Sequence, residues 1–357
     1  MNIMLLRKLL PRIFILWICL LPLIVFKSSY EGPKVYYFLS GGAVLVIFWI
    51  IKLLRNPESL KLHTFDKWYL LWFGALTLSS ILGIHSMESL TGGSYRHQGV
   101  IFFLALWLVG KTTELLKDSE RKLMIKGVAL VVLIECAVII YQYATRNLYF
   151  GRPLGTLGEV NALSGFLAIG SYFLYQAFPK KFLMIPGVLV LASLSRAGIL
   201  SFVTILTVFL NRLKIRFKNT IILLIGISLA SLVTYLSFGK SVSLVESRTV
   251  LWQLALKRAS IHPILGYGAE SGETIYNEAF YDLHIPLYDL IIDRAHNLML
   301  DVTLWSGLLG LALFLIFLYS YFKSRTESGK VAVLSFLVYS MFQPLSIVHW
   351  LLLFLII

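Results

Sequence analysis

The chain has 357 residues, 58% of them hydrophobic and 14% charged, with a mean hydropathy of +0.81 and a formal net charge of +14. An ordinary globular domain carries about 25% charged residues, so a chain this apolar has lipid rather than water as its solvent and no room for a separate soluble catalytic domain. The basic excess falls in short Lys/Arg clusters between apolar runs, which is the positive-inside pattern of a membrane protein and excludes a nucleic-acid groove.

A hydrocarbon core of roughly 30 Å takes about 20 apolar residues per helix. On that measure the chain reads as an all-α polytopic integral membrane protein of about twelve transmembrane helices forming a single membrane domain, 1–357. The expected spans are 13–27, 35–51, 68–84, 100–116, 123–143, 161–178, 182–195, 197–211, 220–238, 296–322, 331–343 and 345–357. The start resembles a signal peptide, with Arg7, Lys8 and Arg12 before an apolar run, but Lys27-Ser28-Ser29-Tyr30 offers no small-residue cleavage site, so it reads as a retained first span. With a cytoplasmic N-terminus, the inner loops collect Lys52, Arg55, Lys117, Arg121, Lys180, Lys181, Arg212 and Lys323, and the C-terminus is cytoplasmic as well.

The apolar stretch 182–211 has basic residues on both flanks, which calls for an even number of crossings. A single span would also put Arg196 at mid-bilayer, at a cost of several kcal/mol. A hairpin with its tip near Ser195-Arg196 satisfies both conditions. Residues 239–295 then form one large extracytoplasmic loop, holding a short amphipathic helix over 250–260. Glu270, Glu273, Glu278, Asp282, Asp289 and Asp293 follow and read as a solvated acidic surface. Cys19 and Cys136 lie in apolar runs and imply neither a disulfide framework nor a metal site.

This topology brings Arg152, Arg196, Arg248 and His296 to one water–lipid boundary, on the side a positive-inside bias should clear of arginine. Guanidiniums there either snorkel as interface anchors or bind an anionic headgroup through planar forks. An imidazole there is either a solvated helix end, which Asp293 would cap, or a base that takes a proton from a hydroxyl. Two acids fall within spans, Glu135 and Asp301, and read as protonated or hydrogen-bonded structural groups before functional ones.

His296-Asn297, nine residues, Gly307, two residues and Gly310 resemble the His-[Asn/Ser/Gln]-x9-Gly-x-x-Gly pattern of the O-antigen ligase family, which includes O-antigen polymerases and some protein glycan ligases. In the family's order, three further segments resemble its motifs: Arg152 to Gly155 with Asn161-Ala162, Ser195-Arg196-Ala197, and Ser247-Arg248 to Trp252 with His262-Pro263 to Gly268. Val160 stands where the family usually has Pro, and Ala197 where it usually has Gly.

The resemblance implies a glycosyltransferase of the bacterial cytoplasmic (inner) membrane, with its active site on the extracytoplasmic face and no cofactor or metal. Its donor would be a glycan on a polyprenyl diphosphate such as undecaprenyl diphosphate, and its acceptor a hydroxyl on a glycan, lipid or protein. Arg196 and Arg248 would stabilise the leaving diphosphate and His296 would act as base, with Arg152, Asn161 and Asn297 in substrate binding. A transporter or flippase of an anionic lipid-linked glycan is the rival from another class. It would place polar groups along a path through the membrane, a path that only Glu135 and Asp301 hint at.

Overall fold

The structure is a computed structural model that describes residues 3–26, 31–93, 95–212, 247–285 and 291–356. Among these residues the regular structure is helical: α1 (Ile3–Leu20), α2 (Glu31–Arg55), α3 (Thr64–Leu82), α4 (Ser86–Thr91), α5 (Val100–Glu114), α6 (Asp118–Ala144) and α7 (Val160–Ala177). Then follow α8 (Met184–Ala192), α9 (Arg196–Arg212), α10 (Arg248–Ala259), α11 (Gly272–Asp282), α12 (Leu298–Ser324), α13 (Glu327–Ser340) and α14 (Ile347–Leu355). The expected span 220–238, the first residues of the large loop, Asp289 and the Lys27–Tyr30 stretch lie outside the described residues.

By length and composition α2, α6 and α12 can each cross a membrane, and shorter apolar helices run over Leu9–Leu23 and Arg196–Leu206. Among the described residues the chain is thus all-helical, with helices fit to cross a membrane. Two of the expected spans hold only nine-residue helices, α8 and α14. At 1.5 Å per residue each is about 14 Å long, well short of a hydrocarbon core of roughly 30 Å. The 182–211 stretch is broken at Ser193–Ser195, where Leu194 takes a left-handed conformation (φ 55°).

Helices that are apolar all round belong at the centre of a bundle, and α7 and α14 are such helices. Every residue of α14 is buried, as is α7 from Ala162 to Leu174. His349 is accommodated at this depth because both ring nitrogens are used: Nδ1 with the Ser346 amide at 3.0 Å and Nε2 with the Ala162 carbonyl at 3.0 Å. Around α14, rings from α3, α5 and α12 meet edge to face, among them Tyr69 with Phe317 and Phe354, Trp72 with Phe103, and Phe103 with Trp350.

The C-terminal ends of α3, α6 and α8 and the N-terminal ends of α5, α7, α9, α10 and α12 converge at one end of the bundle. All of the site residues read from the sequence lie there. At the opposite end α3 begins and α5 stops.

Candidate active site

The site rests on a joint between the large loop and α12. At Gly307 the helix breaks, with φ 65° and ψ −170°, a region of backbone space open essentially to glycine alone. Breaking a helix frees carbonyls and amides that must find partners when buried. Here the His262–Gly268 segment supplies them: the Tyr267 amide donates to Leu304 O at 2.7 Å and the Gly268 amide to Trp305 O at 2.9 Å. The Leu308 amide returns a bond to Pro263 O at 2.7 Å. A Cβ on Gly307 would lie 2.1 Å from Ile264 O, so the two backbones meet where no side chain fits. The end of α3 completes the joint, with Ser79 Oγ donating to Trp305 O (2.5 Å) and the Ala269 amide to Ser80 Oγ (3.1 Å). The glycines of the two sequence motifs are therefore parts of one backbone junction.

His296 sits two residues before α12, also left-handed (φ 56°), in a segment held from three sides. The Asp301 carboxylate, one turn into the helix, accepts the Ala295 amide at 2.7 Å. Trp252 on α10 donates its indole N–H to Ala295 O at 3.0 Å. Asn297 Oδ1 caps α12 by accepting the Met299 amide at 3.0 Å and the Leu300 amide at 3.3 Å. The cap is thus Asn297 and not Asp293, and the Asn297 oxygen is committed to the helix. Because Arg248 lies one turn before Trp252 on the same helix face, the tie from Trp252 brings Arg248 beside the imidazole.

The His296 ring is hydrogen-bonded by the Gln343 side chain, while its Nδ1 is buried with no hydrogen-bond partner among the described residues. Burial first, and then the positive charges of Arg248 and Arg96, push its pKa down from 6.5 to about 3, outweighing the opposing pull of Asp293. The imidazole at this position is held neutral.

Behind His296 lie two ion pairs. Arg96, in the loop between α4 and α5, grips the Asp293 carboxylate with Nε and Nη2, and Arg294 pairs with Glu270; all four side chains are largely buried. Burial alone would raise the Asp293 pKa, but Arg96 and Arg294 bring it below its ordinary value. These pairs correct the reading of 270–293 as a solvated acidic surface. Glu270 and Asp293 are interior struts, the intervening residues 272–282 form α11, and among the described acids of the stretch only Glu278 and Asp282 stand exposed, beside Arg258. The sequence reading missed Arg96 and Arg294. The same argument that singled out the other arginines, basic residues on the side that should lack them, applies to both.

The remaining candidates gather at the tip between α8 and α9. Arg152 Nε donates to Ser193 O at 2.7 Å, and Ser195 Oγ donates to Asn161 Oδ1 at 2.9 Å, which ties the loop 145–159 and the start of α7 to the hairpin tip. Arg196 opens α9 there with its side chain exposed. Burial lowers the Arg152 pKa, with Glu159 and Tyr143 opposing. Tyr95 sits within the electrostatic reach of Glu159 on one side and of Arg96 and Asp293 on the other, linking this cluster to the His296 cluster. The structure thus brings Arg248 within electrostatic reach of His296, joins Arg152 with Asn161 through the tip, and sets Arg196 at that tip.

Both intramembrane acids serve the loops of this site. Glu135 is fully buried and accepts from the backbone and hydroxyl of Thr156, and Asp301 holds Ala295 as described. Their occupation leaves the interior-path reading without its two candidate groups.

Residues 182–315 match the family model described as O-antigen ligase. By that match the segment is similar to the O-antigen ligase family. It contains Arg196, Arg248, His296 and the Gly307 joint, as the motif resemblance implied. A protein of Rickettsia prowazekii (strain Madrid E), provisionally named a polysaccharide ligase, is 35% identical over 97 residues, covering 27% of this chain and 24% of that protein. The chain therefore aligns with about a quarter of that relative's length. Both matches are to proteins described as ligases, and this chain carries helices long and apolar enough to cross a membrane. Arg152, Asn161 and Arg96 lie outside the matched O-antigen ligase segment, and the fold brings them to it.

Proposed function

We propose that this protein transfers a glycan from a polyprenyl-diphosphate carrier to an acceptor hydroxyl at the extracytoplasmic face of the inner membrane, without a metal. The observation that carries this reading is the His296–Arg248 pair. It is a half-buried imidazole whose buried Nδ1 has no partner among the described residues, within electrostatic reach of Arg248, on a segment held by Asp301 and Trp252 inside the O-antigen ligase match.

In the proposed step the acceptor oxygen attacks the anomeric carbon as the bond from that carbon to the diphosphate oxygen breaks. The diphosphate leaves with the bonding electron pair, and the hydroxyl proton passes to His296. A diphosphate is a good leaving group once its developing charge is met, and Arg248 and Arg196 supply that charge as fixed, always-protonated groups. Arg152 and Asn161, at the hairpin tip, engage the donor headgroup. A base with a pKa near 3 is weak in the empty site, but the incoming diphosphate places negative charge against Arg248 and Arg96. This raises the proton affinity of His296 when the substrate is in place. In-line attack opposite the leaving group inverts the anomeric centre, and NMR of the product linkage reads this directly; retention would exclude a single displacement.

The test is transfer by purified protein in liposomes, with a polyprenyl-diphosphate glycan, a panel of glycan, lipid and protein acceptors, and chelator throughout. The proposal expects transfer by the wild type and its loss in Arg248→Ala and Arg196→Ala. Movement of the donor across the bilayer with no transfer to any acceptor would replace the enzyme with a flippase. The acceptor that works separates ligase from polymerase.

A further inference from the structure

Residues 149–152 close a two-residue turn: the Tyr149 amide donates to Arg152 O at 2.8 Å and the Arg152 amide to Tyr149 O at 3.0 Å. Both central residues, Phe150 and Gly151, have positive φ, 47° and 74°. This is the geometry of a primed hairpin turn, for which Asn, Asp or Gly is the ordinary first choice. A bulky phenylalanine in left-handed space is an outlier that stores strain. Among the described residues nothing repays it: the Phe150 side chain is 86% exposed and stacks edge-on to the neighbouring Tyr149 ring (4.6 Å between centroids), itself 59% exposed.

Two further observations say what covers these rings. The turn begins five residues after α6, one of the helices able to cross a membrane, and continues its exposed apolar face through Ile134, Ile140 and Tyr141. Leu191 and Leu194 of the adjoining α8 end extend the same face, held against α6 by the bond from Tyr143 Oη to Ala192 O (3.0 Å). The segment 136–158 also contains no Asp or Glu but carries Arg146 and Arg152, so its charge matches an anionic leaflet.

We propose that the Tyr149–Phe150 turn is a membrane-surface anchor whose two rings enter the headgroup–acyl boundary of the adjoining leaflet, flanked by Arg146 on lipid phosphates. Aromatic rings favour that layer, and the rigid turn together with the bond from Arg152 to Ser193 fixes the depth of the Arg152 guanidinium. On the functional reading above, which only this last consequence depends on, that is the depth at which the carrier diphosphate must sit.

The experiment places a nitroxide at Phe150→Cys, with Cys19 and Cys136 replaced by alanine, in liposomes of phosphatidylcholine with and without phosphatidylglycerol. Tyr281→Cys, on the polar α11 surface, is the aqueous reference. The anchor predicts that the label at 150 collides more with oxygen than with a soluble nickel chelate, and that it sits deeper when anionic lipid is present. Nickel access equal to that at 281 would overturn the proposal, as would protection that appears only on adding a polyprenyl-diphosphate glycan or a protein partner. A second variant, Phe150→Asn, relieves the backbone strain. The anchor predicts detergent thermal stability equal to or above the wild type, together with loss of membrane depth for a label at Tyr149→Cys; unchanged depth at 149 would contradict it. Neither arm measures transfer, so the anchor and the proposed enzyme stand or fall separately.

Discussion

The two ends of the bundle each hold a histidine among buried charges, and they are built to opposite effect. At the end where α3 begins, the Lys111 ammonium is almost fully buried and bonds Asp66 (2.9 Å), Glu114 (2.5 Å) and the Lys61 carbonyl (2.7 Å), with Trp107 donating to Asp66 at 2.9 Å. His63 lies 3.5 Å from Glu114 with its side chain 56% exposed. His63, Asp66 and Glu114 have the composition of a metal site, but an ammonium already stands among the carboxylates. At the other end the histidine is half-buried, a carboxylate that could have paired with it is held by Arg96, and after desolvation the strongest influences on it are the cations Arg248 and Arg96. One end satisfies its charges internally and reads as a fastening. The other sets an imidazole near guanidiniums, which on the proposed function receive the acceptor hydroxyl and the diphosphate.

The comparison breaks first at Arg248. Arg248→Ala should lower transfer by about 10²- to 10³-fold, the usual cost of one donor to a developing oxyanion, with the rate normalised to folded protein. A rate within twofold of wild type would make the site end as structural as the other. Lys111→Met should do the reverse. Removing one partner of a buried pair costs about 3–5 kcal/mol, read as a lower melting temperature in detergent, while transfer per folded molecule stays at the wild-type level.

Smaller effects sharpen the contrast. Asp301→Ala removes the acceptor of the Ala295 amide, and an unsatisfied buried group costs about 1–3 kcal/mol. Its diagnostic readout is a fall in kcat at little-changed donor KM, because it loosens the segment that holds His296 without touching the arginines. The pH dependence tests the charge balance. His296 must be neutral to accept a proton, so transfer is lost as pH falls through its pKa. Burial, Arg248 and Arg96 depress that pKa in the free protein, and the bound diphosphate raises it. The acid limb of kcat should therefore lie at higher pH than that of kcat/KM, and Arg248→Gln should move the kcat/KM limb upward. His63→Ala, at an exposed pair worth about 0–1 kcal/mol, should change neither stability nor rate measurably.

Much of the site was legible because its signals are local. A basic residue on the wrong side of a span, a break forced by like-charged flanks and a histidine at a fixed distance from two glycines each need only one stretch of chain, and all fall at one end of the bundle. What escaped were partnerships across the fold. Arg96 and Asp293 are 197 positions apart, and no periodicity connects them. The acidic run looked like solvated surface because Glu270 and Asp293 carry no local mark separating them from the exposed Glu278 and Asp282. The roles of the glycines were invisible for the same reason: the pattern gave their spacing, but only the meeting of the Ile264 and Gly307 backbones explains why a side chain has no place there. The count of twelve spans is not confirmed at α8 and α14, whose helices are short, since apolarity does not distinguish a helix such as α14 buried in protein from one facing lipid.

The most direct test of the account is the single-turnover rate of glycan transfer by wild type and His296→Gln in the same liposomes across the acid to neutral range. The account predicts a wild-type rate that falls with acidification and a variant that is slower by about 10²- to 10⁴-fold and flat with pH. A variant that matches the wild type in rate and in pH profile would contradict it.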